Sequence, residues 1–256
     1  MKATMRTIEQ HPLNPNQAGL WFLGQAGYVI RSAGITVAID PYLSNSAAAA
    51  APEFGRLLPV PIEPEDLRVD LWIITHDHLD HLDPETIRRY PHQSHTQFVA
   101  PRLTARKLQE LGVPRGQIHR LDSGEDWTWR DLTVRGVFAL PTGADVLDTT
   151  GYLLTFANGR SVYHTSDTAF TPLLLLAAPK GAEVLLVPIN GKWGNLNVEQ
   201  AVELTASVGP RYVLPNHYDL MALNAENPET FRWFCHQRNL PTQCVIPTVM
   251  HPFVWE

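Results

Sequence analysis

A chain of 256 residues with 44% hydrophobic residues can bury a sizeable core, and its formal net charge of −6 supplies no basic surface of the kind a nucleic acid partner needs. No apolar run reaches membrane-spanning length, residues 1–17 hold no hydrophobic signal core, and two late cysteines, Cys235 and Cys244, make no disulfide framework. The expectation is therefore a cytoplasmic enzyme of one domain over residues 1–256, with a homo-oligomer left open.

Residues 20–23, 28–31 and 35–39 read as adjacent strands separated by Gly-containing turns. The run from Asn45 through Pro52, Pro59, Pro61 and Pro64 reads as a long loop, its alanines too few to argue a helix. Residues 71–74, Leu-Trp-Ile-Ile, form a short bulky run that reads as a buried strand. A helix start follows, with Asp83 as N-cap, Pro84 at the first helical position and Glu85 in the first turn. Next come a strand at 97–100, an amphipathic helix at 101–111 ended by Gly112, and strands at 132–140, 151–156 and 161–165. Asn158-Gly159 is a hairpin signal between the last two. Thr171-Pro172 opens a helix, 184–189 is a buried strand, and Asn197 with Gln200 caps a helix to Ser207. A strand at 211–214, a helix at 228–237 and a last strand near Val245 complete an α/β pattern with two strand-rich halves.

Between the strand at 71–74 and the helix at Pro84 stands Thr75-His76-Asp77-His78-Leu79-Asp80-His81. His76 and His78, two apart on near-extended chain, point the same way, and Asp80 and His81 follow from a turn. Imidazole nitrogen suits zinc, iron or manganese, and a neighbouring carboxylate adds charge and room for a second metal. A merely solvated polar loop does not need this density of ligands, so the segment reads as a metal site.

His-x-His-x-Asp-His at a strand end resembles the signature of the metallo-β-lactamase-fold hydrolases. Further segments are similar to one branch, the ascorbate-6-phosphate lactonase-like proteins. They are Leu23-Gly24-Gln25-Ala26-Gly27, Ile39-Asp40-Pro41-Tyr42-Leu43-Ser44, Tyr163-His164-Thr165-Ser166-Asp167-Thr168, Leu214-Pro215-Asn216-His217-Tyr218-Asp219 and His251-Pro252-Phe253-Val254-Trp255-Glu256, in the family's order. The resemblance implies a four-layer αββα sandwich. It also implies that Asp167 bridges two metals and that His217 is a ligand. One position would hold Asp80, His81, Asp167 and His217, and the other His76, His78 and Asp167. The superfamily's usual third histidine of the second position is missing, for the chain reads Pro141-Thr142-Gly143-Ala144-Asp145 there. Thr142, Asp145 and Asp148 are the conceivable substitutes, so one or two ions per chain are expected. Zn²⁺ and Mn²⁺ both suit such ligands, and the resemblance favours Mn²⁺.

Other residues have roles around this set. Asp40, at the end of an apolar strand, suits a carboxylate that orients a ligating imidazole. His164 reads equally as a core histidine or a site residue, and His251 as a pocket or a packing residue. Asn190, Lys192 and Trp193 lie in a Gly-bounded loop where Lys192 could meet a phosphate and Trp193 could cover a ring. Tyr218, beside His217, is a further expected substrate contact, and Gln25 reads equally as a turn residue or a site residue. His11, His92, His95, His119 and His236 read as surface histidines.

The expected chemistry is hydrolysis. Bound metal lowers the pKa of its water from about 15.7 toward 7 and polarises the substrate oxygen. Asp80 and Asp167 are the catalytic carboxylates, with Asp80 suited to take a proton. A small anionic lactone is the leading substrate. A phosphodiesterase or nuclease is the alternative from the same chemistry, and a non-catalytic metal-binding interaction module the alternative from a different class.

Overall fold

The protein is described by a computed structural model that covers residues 4–256. The first half builds β1 (Ala18–Gly24), β2 (Gly27–Ser32), β3 (Ile35–Ile39), β4 (Leu71–Ile73), β5 (Gln97–Ala100) and β6 (Ile118–Arg120). The second builds β7 (Asp126–Trp129), β8 (Leu132–Phe138), β9 (Thr150–Phe156), β10 (Ser161–His164), β11 (Val184–Pro188), β12 (Tyr212–Asn216) and β13 (Gln243–Cys244). A final strand, β14 (Pro252–Trp255), returns to the first sheet. The helices are α1 (Met5–Glu9), α2 (Ser46–Ala50), α3 (Pro84–Arg89), α4 (Arg102–Glu110), α5 (Pro172–Ala177), α6 (Val198–Val208) and α7 (Pro228–Gln237).

The strands form two seven-stranded sheets, ordered β14-β1-β2-β3-β4-β5-β6 and β13-β12-β11-β10-β9-β8-β7. In each, one half is antiparallel and the other parallel, and the change falls at β3 in the first sheet and at β10 in the second. The inner faces meet in a core that includes Ile30, Val37, Leu71 and Val99 from one sheet and Val134, Leu154, Val162 and Leu186 from the other. The outer face of the first sheet packs Trp72 and Phe98 against Ile8, Ile87 and Leu108 of its helices. The outer face of the second packs Leu185 and Val213 against Leu174, Val202 and Phe231. Each sheet is thus apolar on both faces and covered by helices, which is the αββα sandwich.

Local signals account for most elements. Asp83 accepts from the Glu85 N–H at 3.1 Å, and Asn197 with Gln200 makes a reciprocal capping box. Residues 228–237 form α7 as expected. Three differences stand out. The alanine run does form a short helix, α2, which Ser44 and Tyr42 anchor through the Ser46 and Ala47 N–H groups. β6 and β7 were not expected, although Asp126-Trp-Thr-Trp129 alternates as a half-buried strand should. The strand expected near Val245 is present as β13, and a further strand, β14, follows it. β14 lies at a sheet edge, where an opening proline is tolerated.

Candidate metal centre

The carboxyl ends of β3, β4, β10 and β12 gather at one edge of the sandwich, and the turn between β1 and β2 joins them. Parallel strands that reverse their winding leave a crevice at such a point. Asp40 follows β3, His76 to His81 follow β4, Asp167 follows β10 and His217 follows β12. Backbone bonds tie the two halves together here, from Thr150 N to Thr75 O (3.0 Å) and from His217 N to Gln25 O (2.7 Å). Gln25, Asp40, Ser166 and His217 all have positive φ, at 54°, 42°, 66° and 60°. Such left-handed non-glycine positions concentrate at functional sites, where the surrounding fold over-determines them. Gly27 is required beside them, because a Cβ there would lie 2.9 Å from the Asp40 carbonyl oxygen.

Six side chains converge in two groups. Donor atoms of His76, His78 and Asp167 all lie within 4.8 Å of one another, and so do those of Asp80, His81 and His217. Asp167 reaches both groups, with Oδ2 at 3.0 Å from His217 Nε2 and Oδ1 at 3.5 Å from His81 Nε2. This is the grouping that the family resemblance implies.

The hydrogen-bond network around the donors sets their tautomers. Asp40 is fully buried and accepts from Thr75 N (2.8 Å), Thr75 Oγ1 (2.6 Å) and His81 Nδ1 (2.7 Å). Because the Thr75 hydroxyl donates to Asp40, it accepts from His76 Nδ1 at 3.0 Å. One carboxylate thus orients two imidazoles, leaving Nε2 of both directed at the cluster. His78 uses the other nitrogen. Its Nδ1 faces His76 Nε2 at 2.9 Å, and its Nε2 donates to Asp145 at 3.4 Å. Asn224 serves His217 in the same way. Its buried amide lies 3.4 Å from His217 Nδ1, and with that amide turned, its otherwise unpartnered oxygen accepts the Nδ1 proton. Gln25 donates to Asp80 Oδ2 at 2.7 Å, and Asn195 to Asp167 Oδ2 at 2.7 Å.

These assignments test the site for a metal. His76 Nε2 and His78 Nδ1 both present lone pairs to each other once their protons are placed. Asp167 Oδ1 is buried with no hydrogen-bond partner. A shared divalent cation satisfies all three atoms, so the residues fit a metal of the Zn²⁺ or Mn²⁺ kind.

Electrostatics differ between the groups. Burial pushes His76 down to about 3, so it is neutral at neutral pH. Burial opposes protonation of His81 and His217 as well, but the carboxylates of Asp167 and Asp80 raise them to about 9 and about 10. Burial likewise opposes ionisation of Asp80 and Asp167, yet the adjacent His81 and His217 hold both well below the usual carboxylate range.

A cleft of about 290 Å³ opens over His78, Asp80, Asp167 and His217. Its walls come from α2, Phe54, Leu79, Thr142, Trp193, Asn195, Met221 and Asn224. The segment after α2 is pinned to the one after His217 through Leu57 N to Leu220 O at 2.8 Å. Of the residues expected to contact substrate, Trp193 is on the wall, while Asn190, Lys192, Tyr218 and His251 are not. Tyr218 packs into the core beneath α6 and α7, because the positive φ of His217 turns the following side chain away. Asn190 is buried at the end of β11, and Lys192 and His251 are exposed outside the cleft. Among the described residues, no Lys or Arg lines it.

The open alternatives resolve by position. His164 is a buried, satisfied histidine: Nδ1 accepts from Ser166 N and Nε2 donates to Ala26 O, both at 3.0 Å. Asp148 accepts from Leu103 N at 2.6 Å and stands away from the donors, while Asp145 takes the far side of His78 rather than the converging side. Gln25 reaches the site. Asn195 and Asn224 carry no local sequence signal, because loops distant in sequence bring them in.

Known proteins agree with this architecture. A UPF0173 metal-dependent hydrolase of Hyperthermus butylicus is 27% identical over 88% of this chain and 94% of its own length. One from Aeropyrum pernix is 28% identical, covering 88% and 93%. Among solved structures, Igni18, a metallo hydrolase from Ignicoccus hospitalis, superposes with a TM-score of 0.73 at 24% identity, covering 94% of this chain and 99% of that one. An isothiocyanate hydrolase from Delia radicum gut bacteria gives a TM-score of 0.75 at 17% identity, covering 93% and 99%. The family profile described as Beta-lactamase superfamily domain matches residues 36–218, a span from β3 to just past His217 that takes in every converging donor, and the chain belongs to that superfamily.

Proposed function

We propose that this protein is a metal-dependent hydrolase that opens a small lactone. The observation that carries the hydrolase reading is the convergence of His76, His78, Asp80, His81, Asp167 and His217, with His78, Asp80, Asp167 and His217 lining an open cleft. The named relatives, curated as metal-dependent hydrolases, support it. A divalent cation held by these side chains would acidify a water and polarise the substrate oxygen, which removes the need for a Ser or Cys nucleophile. Asp80 lies at the cleft with Oδ2 held by Gln25, so its carboxylate is placed to take a proton from the attacking water. Asp40, Thr75, Asn195 and Asn224 keep the donors in place.

Lactone opening is favoured by the motifs around Gln25, Asp40 and the C-terminal His-Pro-Phe-Val-Trp segment, which resemble the ascorbate-6-phosphate lactonase-like branch. Phosphodiester cleavage is the second reading, since the same donors suit a phosphorus centre. Hydrolysis of simple lactones, ascorbate 6-phosphate and bis-p-nitrophenyl phosphate by the Mn²⁺-loaded and Zn²⁺-loaded protein separates the two. The lactones should be the better substrates, and a tenfold preference for the phosphodiester would overturn the lactonase reading.

A further inference from the structure

We propose that the part of the substrate that does not react is an uncharged alkyl or aryl group, held against Trp193 and Phe54; this rests on the hydrolase reading above. The wall facing the donors is apolar, built from Ala47, Ala50, Phe54, Leu79, Trp193 and Met221. Trp193 is 48% exposed, and its ring sits 5.8 Å from that of Phe54. The indole is held there at a conformational cost. Trp193 has a φ of 49°, between Gly191 at 59° and Gly194 at 93°, a region that bulky residues rarely adopt. The loop closes on itself through Gly191 N to Leu196 O and Asn195 N to Lys192 O, which fixes the backbone that carries the ring. An apolar wall next to a few convergent polar groups is the usual form of a small-molecule site.

The cations an anionic substrate needs are committed elsewhere. Lys107 pairs with Asp77. The Arg56 guanidinium donates to the carbonyl oxygens of Tyr42 at 2.7 Å and Leu58 at 3.2 Å. Lys192 is exposed and outside the lining. A phosphate on the far end of the substrate would therefore find no lysine or arginine among the lining residues and would face the carboxylate of Asp145. An alkyl group would instead bury surface, and each methylene seated there raises affinity about fourfold.

Lactams test this, because they copy the lactone ring and resist hydrolysis. Binding of γ-butyrolactam, its 5-methyl, 5-butyl and 5-hexyl derivatives and a 5-phosphomethyl derivative would be measured by calorimetry on the metal-loaded protein, with turnover of the matching lactones followed in parallel. Affinity should climb through the alkyl series, and Trp193→Ala and Phe54→Ala should each cost the butyl compound about tenfold and the bare ring much less. Trp193→Phe should restore most of the loss. Tighter binding of the phosphomethyl compound than the butyl one, or no dependence on chain length, overturns the proposal. An alkyl series graded by Trp193 without turnover of any lactone supports the apolar subsite and tells against the lactone reading instead.

Discussion

Asp40 and His81 share a buried hydrogen bond of 2.7 Å, and through Thr75 the same carboxylate also fixes His76. One residue directly after β3 therefore sets the tautomer of one imidazole in each donor group. Asp40→Asn keeps the shape but loses an acceptor oxygen, so the metal affinity of both groups should fall about 10- to 100-fold. Competition against a chelator measures this, and an unchanged circular dichroism spectrum would separate it from unfolding. Full affinity in the variant would mean that Asp40 is structural only.

The two groups should differ in strength. Asp80, His81 and His217 have Asp167 beside them as a fourth donor, whereas His76 and His78 have Asp167 alone, and Asp145 faces the wrong nitrogen. Elemental analysis after gel filtration should thus find less metal in His217→Ala than in His76→Ala. The reverse order would misplace the stronger site.

Metal binding should release protons. In the metal-free protein His81 and His217 titrate at about 9 and about 10, above the ordinary 6.5. Their protonation stabilises the metal-free fold fully below the unfolded value, and that contribution is lost as pH rises through the folded ones. Metal needs both rings neutral, so binding at about pH 7.5 should displace protons from this pair, and affinity should rise with pH up to about 9 to 10. His76, held at about 3 by burial, contributes none. Calorimetry in buffers of different ionisation enthalpy counts the protons; a heat independent of buffer would refute this assignment.

His164 should matter to stability and not to metal. His164→Leu strands the Ser166 N–H and the Ala26 carbonyl, at a cost of about 1–3 kcal/mol. The urea midpoint should drop while metal content holds. Loss of metal with no loss of stability would place the ring in the site after all.

Four of the donors were legible because they fall within six residues, whereas Asp167 and His217, at strand ends that hydrophobic runs mark, were implied by the family resemblance. Asp40 was legible from its place at the end of an apolar strand. The helpers were less so, Gln25 being legible only as one of two alternatives and Asn195 and Asn224 not at all. Gln25, Asn195 and Asn224 come from three loops, and only the closure of one sheet on the other brings their amides to the carboxylates and to His217. Neighbours in sequence also misled: Tyr218 follows a ligand yet faces the opposite way, because a left-handed residue separates the two directions. The cleft wall depended on α2, whose alanines carry no amphipathic pattern and whose anchoring by Ser44 and Tyr42 is tertiary.

Anomalous diffraction at the metal absorption edge, from crystals equilibrated with Mn²⁺ and separately with Zn²⁺, locates the bound metal. A strong peak should lie within bonding distance of Asp80, His81, Asp167 and His217, with any further peak at His76, His78 and Asp167. A peak elsewhere in the molecule, or none at saturating metal, would contradict this placement.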